Sequence, residues 1–290
     1  MGGIIDKITE FIKELLQGWV LTNLETMFTD VNTKVGTIAG EVSRTPSTWN
    51  AGIFNMIKTL SDNVMIPIAG MIISFVLVYE LISMVIDKNN LHDFNTAIFI
   101  RFFMKACIAV MLLSKTFDIV MSVFDVGNHI VTSASGAISG STEIDVTGTL
   151  QTMFNDQFST MSIGELLGLG METMIVSLCM KIMSVLITVV LYGRMIEIYL
   201  YVSVAPVPFA TITNREWGTI GTNYFKGLCA LAFQGFFMMV CVGIYAVLVG
   251  SISVAPNLHT ALWSVAAYTV ILCFSLFKTG SLSKSIWNAH

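Results

Sequence analysis

The sequence predicts an all-α, polytopic integral membrane protein with about five transmembrane helices, and three observations lead there. Hydrophobic residues make up 54% of the 290 and charged residues only 12%, about half the charge share of a soluble domain. The apolar residues gather into runs near the ~18 to 20 needed to cross a bilayer. One run, residues 196–212, is interrupted by two prolines, Pro206 and Pro208, followed at once by polar residues.

The chain opens with "GGIIDKITEFIKELLQGW". Ile4, Ile5, Ile8, Phe11, Ile12, Leu15, Leu16 and Trp19 recur at helical spacing, with Asp6, Lys7, Glu10, Lys13 and Glu14 opposite. That pattern is an amphipathic helix. A cleavable signal, with a basic start and an unbroken apolar core, is not what this interleaving suggests. Few basic residues line the polar face, so packing on protein is favoured over lying on a lipid surface. Residues 20–61 are mixed and polar, broken by Gly36, Gly40 and "RTPSTWNAG". Residues 1–61 therefore form an N-terminal region, and 62–290 a helical membrane domain.

The first crossing is read at 63–86, the second at 97–113 with an extension toward Val123, and "DKNNLHDFN" between them as a hairpin loop. Residues 116–173 are read as a long extracytoplasmic loop. From 116 to 180 there is no Lys or Arg, against seven acids. Within it "TSASGAISGST" is expected to be mobile, and Leu150, Met153, Phe154, Phe158 and Met161 to form a short amphipathic helix. Crossings at 174–192, 228–250 and 261–277 complete the set.

The stretch 196–212 decides the topology. As a full span it makes six transmembrane helices, the alternative, and scatters the basic residues over both sides. As a re-entrant or interfacial segment it leaves five, and gathers Lys88, Arg101, Lys105, Arg194, Arg215, Lys226, Lys278 and Lys284 on one face. The positive-inside tendency favours the second arrangement. Two prolines remove two amide donors and disfavour helix before them. Such a break is tolerated in lipid only where protein or a water-filled cavity surrounds it.

Charged residues inside or beside the spans are the candidate contact sites. Arg101 and Lys105 lie one turn apart, and Glu80 is placed to pair with one of them across the hairpin. Lys181 sits about seven residues into the third crossing, where a lysine needs a carboxylate, a carbonyl or water. Arg215, Glu216 and Trp217 suit headgroup depth or partner docking, and Gly218, Gly221 and Gly227 permit close backbone approach. Each of these has a plain structural reading beside the functional one: snorkelling for the cations, a solvated loop pair for Arg215 and Glu216.

The sequence offers no chemistry of its own. It lacks a phosphate-binding Gly-x-x-x-x-Gly-Lys loop, a His-Glu-x-x-His motif and any Ser-His-Asp arrangement. The five cysteines lie in apolar runs without a Cys-x-x-Cys pair, and the four histidines are widely spaced, so neither a metal nor another cofactor is expected. The Gly136/Gly140 and Gly164/Gly168 pairs fall in the presumed loop and are poor evidence for helix dimerisation. No basic stripe marks a nucleic-acid surface.

At "APVPFATITNREWGTIGTNYFKGLCALAFQGFFMMVCVGIYAVLV", residues 205–249, the chain resembles the TrbL-like membrane subunit of conjugative type IV secretion systems. The versions it looks most like are encoded by mobile elements of Gram-positive bacteria. The proline pair, the Arg-Glu-Trp-Gly turn and the Phe-Gln-Gly-Phe start of the next helix carry the resemblance. It implies a non-enzymatic, multi-pass protein of the bacterial cytoplasmic membrane at the base of a translocation channel. It also implies a homo-oligomer in contact with transfer ATPases and single-pass channel subunits. Relaxase-bound single-stranded DNA would pass nearby, in transient contact. Only residues 205–218 inherit a role, as a packing or channel-proximal element; the loop without basic residues argues against a firm grip on DNA. Two other classes fit the composition: a small-solute secondary transporter, for which no second broken helix or internal repeat is visible, and a membrane scaffold.

Overall fold

The computed structural model describes residues 2–86, 96–142, 158, 160–251 and 257–289, and among them every regular element is helical. In order these are α1 (Gly2–Val42), α2 (Pro46–Trp49), α3 (Ala51–Leu60), a π turn (Ser61–Met65), α4 (Ile66–Ile86), α5 (Thr96–Ser114), α6 (Thr116–Thr142), α7 (Ile163–Val204), α8 (Pro206–Phe209), α9 (Gly218–Gly250) and α10 (Leu258–Ile286). Four helices are long and apolar enough to cross a membrane: 51–86, α7, α9 and α10. The bent pair α5–α6 makes a fifth. The protein is an all-α polytopic membrane protein.

The chain divides into two compact units. The first comprises residues 1–42, 132–191 and 237–278; the second comprises 43–131, 192–236 and 279–290. In the first, α1 packs through Leu16, Val20, Leu24, Met27, Ile38 and Val42, all buried, at spacings that keep one helical face inward. Trp19 lies against Gly170, and Asn23 donates to the Thr173 hydroxyl at 3.4 Å. This stripe carries α1 through Gly36 and Gly40, where the sequence reading placed a polar interruption. A glycine costs a helix only ~1 kcal/mol, less than the burial it would forfeit. The amphipathic start is present too, with Ile4, Ile5, Ile8, Phe11 and Leu15 exposed on another face.

Three further boundaries differ from expectation. The first crossing begins at Ala51, because the π turn lets the helix pass Pro67 without a clash at the preceding carbonyl. The second crossing turns by 66° at Lys115. Thr116 follows the bend, and its hydroxyl donates to the carbonyls of Leu112 (2.8 Å) and Leu113 (3.0 Å), satisfying acceptors on the near side of it. Beyond it, α6 continues to Thr142, so "TSASGAISGST", expected to be mobile, is helical, as are Gly136 and Gly164. Of the predicted amphipathic helix, Leu150, Met153 and Phe154 lie outside the described residues, as do Lys88 and the rest of the hairpin loop.

The stretch 196–212 is neither a separate span nor detached from the third crossing. Residues 196–204 complete α7, which passes Gly193 and Arg194 unbroken. The helix stops at the prolines, and the chain reverses: Tyr224 and Gly227 of α9 lie against Tyr201 of α7. The core of the second unit surrounds this reversal. Ala205 and Phe209 pack with Phe124, Ile198, Val202, Leu228 and Leu231. Val207 and Ala210 pack between α4 and α5 with Ala69, Ile73, Ala109 and Leu113.

The broken backbone is re-satisfied locally. In an unbroken helix the Ala205 amide would donate to Tyr201 and residue 206 to Val202. Pro206 has no amide hydrogen, and Ala205 donates to the Val202 carbonyl instead, at 3.3 Å. The Tyr201 carbonyl so released accepts the Tyr224 hydroxyl at 2.5 Å. Gly221 closes the corner, since a Cβ there would stand 2.5 Å from the Pro208 carbonyl oxygen and 2.2 Å from the Ile212 side chain. Tyr224→Phe strands a part-buried carbonyl and is expected to cost about 1 kcal/mol. Gly221→Ala overpacks the corner at ~1–3 kcal/mol. Thermal unfolding of detergent-solubilised protein checks both, and unchanged midpoints would contradict this account of the turn.

Candidate functional site

The polar residues that follow the proline turn converge on the far part of α4, within the second unit. Asn214 organises them. Its side-chain oxygen accepts the amides of Glu216 and Trp217, each at 2.9 Å. Its backbone carbonyl accepts the Gly218 amide at 3.0 Å. An Asx residue that satisfies amides two and three positions ahead is a turn-former and helix starter, which is why α9 begins at Gly218. The Asn214 side-chain amide then donates to Glu80 Oε2 at 3.1 Å.

Glu80 is the pivot of the cluster. It is 7% exposed, and its other oxygen accepts the Lys105 ammonium from α5. A carboxylate this buried requires partners on both oxygens, and it finds them on two other elements. Next to it Tyr79 donates its hydroxyl to Glu216 at 2.7 Å. Trp217 stacks on Phe75 and Tyr79, with centroids 5.5 and 5.9 Å apart. A cavity of about 540 Å³ opens among Tyr79, Glu80, Ser83, Lys105, Arg215 and Glu216. Arg215 is exposed at its edge.

Of the residues singled out in the sequence, this site gathers Glu80, Lys105, Arg215, Glu216 and Trp217, with Gly218 starting α9 and Pro206 and Pro208 setting the turn before them. The pairing of Glu80 across the hairpin is made by Lys105; Arg101 is exposed. Lys181 belongs to the first unit. Three contributors escaped the sequence reading. Asn214 has a legible signal, an Asn placed ahead of a helix start. Tyr79 and Tyr224 have none, because their partners lie 137 and 23 residues away. Arg194, read as one of the cations on the basic face, is 8% exposed within α7, with no hydrogen-bond partner for Nε among the described residues.

Comparison with known families decides what kind of protein carries this site. A family model described as TrbL/VirB6 plasmid conjugal transfer like protein matches residues 31–206, more than half of the chain. The protein belongs to this family. It is therefore a multi-pass membrane component of conjugal transfer by type IV secretion. Searches of curated proteins and of solved structures return no match. The matched region of this TrbL/VirB6 protein takes in α4, Glu80, α5, Lys105 and all of α7. It ends at Pro206, so the 205–249 motif that carried the sequence resemblance overlaps it only at Ala205 and Pro206.

Glu80→Ala removes a hydrogen-bond acceptor from buried Asn214 and the partner of Lys105, for an expected loss of about 1–3 kcal/mol. In a double-mutant cycle with Lys105→Ala the two losses are expected to fall short of additivity. Strict additivity in thermal unfolding would show that the pair is not coupled.

Proposed function

We propose that this TrbL/VirB6 protein is a channel and assembly subunit of a conjugative type IV secretion machine in the bacterial cytoplasmic membrane. It forms homo-oligomers, contacts transfer ATPases and single-pass channel proteins, and lets relaxase-bound single-stranded DNA pass without performing covalent chemistry. The family match through α4, α5 and α7 carries the proposal. The cluster around Glu80 supports an assembly role: it fixes the proline turn against the α4–α5 pair and leaves Arg215 and the adjoining cavity open to a partner.

A solute transporter is the weaker reading. The bend at Lys115 is a second helix break, which such a protein would use to aim freed backbone groups at its substrate. Here the Thr116 hydroxyl occupies the Leu112 and Leu113 carbonyls.

Mating assays test the proposal. Pro206→Ala combined with Pro208→Ala is expected to lower transfer frequency while membrane insertion persists. Arg215→Glu is expected to lower transfer without moving the thermal midpoint, because that side chain is exposed. Normal transfer in both variants would remove the turn and its flank from the machine. Topology reporters fused at Ser139 and Gly221 are expected to report opposite sides of the membrane; signals from the same side would overturn the five-crossing arrangement.

A further inference from the structure

The first unit contains a second polar cavity, whose lining shares no residue with the Glu80 cluster. It has a volume of about 250 Å³ and lies among α1, α7, α9 and α10. Lys34 and Asp30 line it from α1, Lys181 and Ser184 from α7. On α9 and α10 the Tyr245 and Thr269 hydroxyls bond to each other at 2.9 Å at its wall. Among the described residues neither lysine has an ion-pair partner, and Asp30 has none either.

We propose that Lys34 and Lys181 hold the phosphodiester of an anionic glycerophospholipid. Two lysines and one aspartate leave a formal charge of +1, which matches the single negative charge of a phosphodiester. The volume falls below the ~300 Å³ at which pockets for whole small molecules begin, so a headgroup enters while the rest of the ligand stays outside. An apolar track awaits it: Leu178 and Val185, one turn to either side of Lys181, are 61% and 63% exposed, and side chains at that spacing share a face. Thr33 and Ser184, also in the lining, add hydroxyl donors suited to phosphate oxygens. The same lysines suit a free phosphate ion or a nucleic-acid backbone less well. The first would leave the apolar track empty, and the second needs an extended groove rather than a recess of this size.

Native mass spectrometry of the full chain in mixed micelles tests this, with phosphatidylglycerol, phosphatidylcholine, inorganic phosphate and an oligothymidine as probes. Wild-type protein is expected to retain phosphatidylglycerol over phosphatidylcholine. Lys34→Gln and Lys181→Gln are each expected to weaken retention by about fivefold, whereas Lys181→Arg keeps it. Equal retention of the two lipids by wild type overturns the proposal without any variant. So does unchanged retention in a folded double variant, binding of inorganic phosphate with the same affinity, or displacement of the lipid by oligothymidine.

Discussion

An amide-less residue inside an apolar core leaves carbonyls that something else must satisfy, and much of the second unit is arranged around that constraint. Pro206 ends α7 because its ring cannot donate to Val202. The shift of the Ala205 amide to Val202 solves one problem and creates another at Tyr201, which only a donor from a different element can meet. Tyr224 meets it, and so α9 must return along α7 at that level. The return forces the Gly221 backbone onto Pro208. A local defect in hydrogen bonding thereby specifies a long-range helix pairing.

The same reversal delivers Asn214 to Glu80. A buried carboxylate is costly alone and tolerable when each oxygen has a donor. Glu80 takes one donor from the middle of α5 and one from the post-proline turn, so α4, α5 and the turn hold one another in place. The polar groups here add geometry more than net stability, since a well-packed apolar substitute would serve burial equally well. Their effect is to fix which face of the turn, carrying Arg215 and Glu216, stays outward.

Helix class, the number of apolar spans and the location of the break were legible because they depend on local composition and on the chemistry of proline. Glu80, Lys105 and the Arg215–Glu216–Trp217 triplet were legible as charges or aromatic residues in expensive places. Helix lengths were not. The extent of α1 past Gly36 and Gly40, of α6 through its small polar residues and of α7 past Arg194 depends on tertiary burial that outweighs weak local propensity. The role of Tyr224 was hidden for a stricter reason: nothing in the residues around it reveals a carbonyl vacated 23 positions away. The family resemblance found at 205–249 and the family match at 31–206 meet only at the break, so two nearly separate parts of the chain point to one relationship.

The distribution of cations bears on how a strand could pass such a subunit. In the described part of the second unit, several basic residues are already committed. Lys105 is paired with Glu80, Lys115 with Asp118 and Lys284 with Glu197, Lys58 lies over the Phe117 ring, and Arg194 is buried. Arg101, Arg215 and Lys226 remain without such a commitment among the described residues. Affinity for a nucleic-acid backbone grows with the number of phosphates neutralised, and three scattered cations in the described part of this unit support only weak contact there. In the proposed role that weakness is functional. In that role a strand held by few counter-charges would slide instead of stalling, and the work of moving it would fall to the proposed partner ATPases.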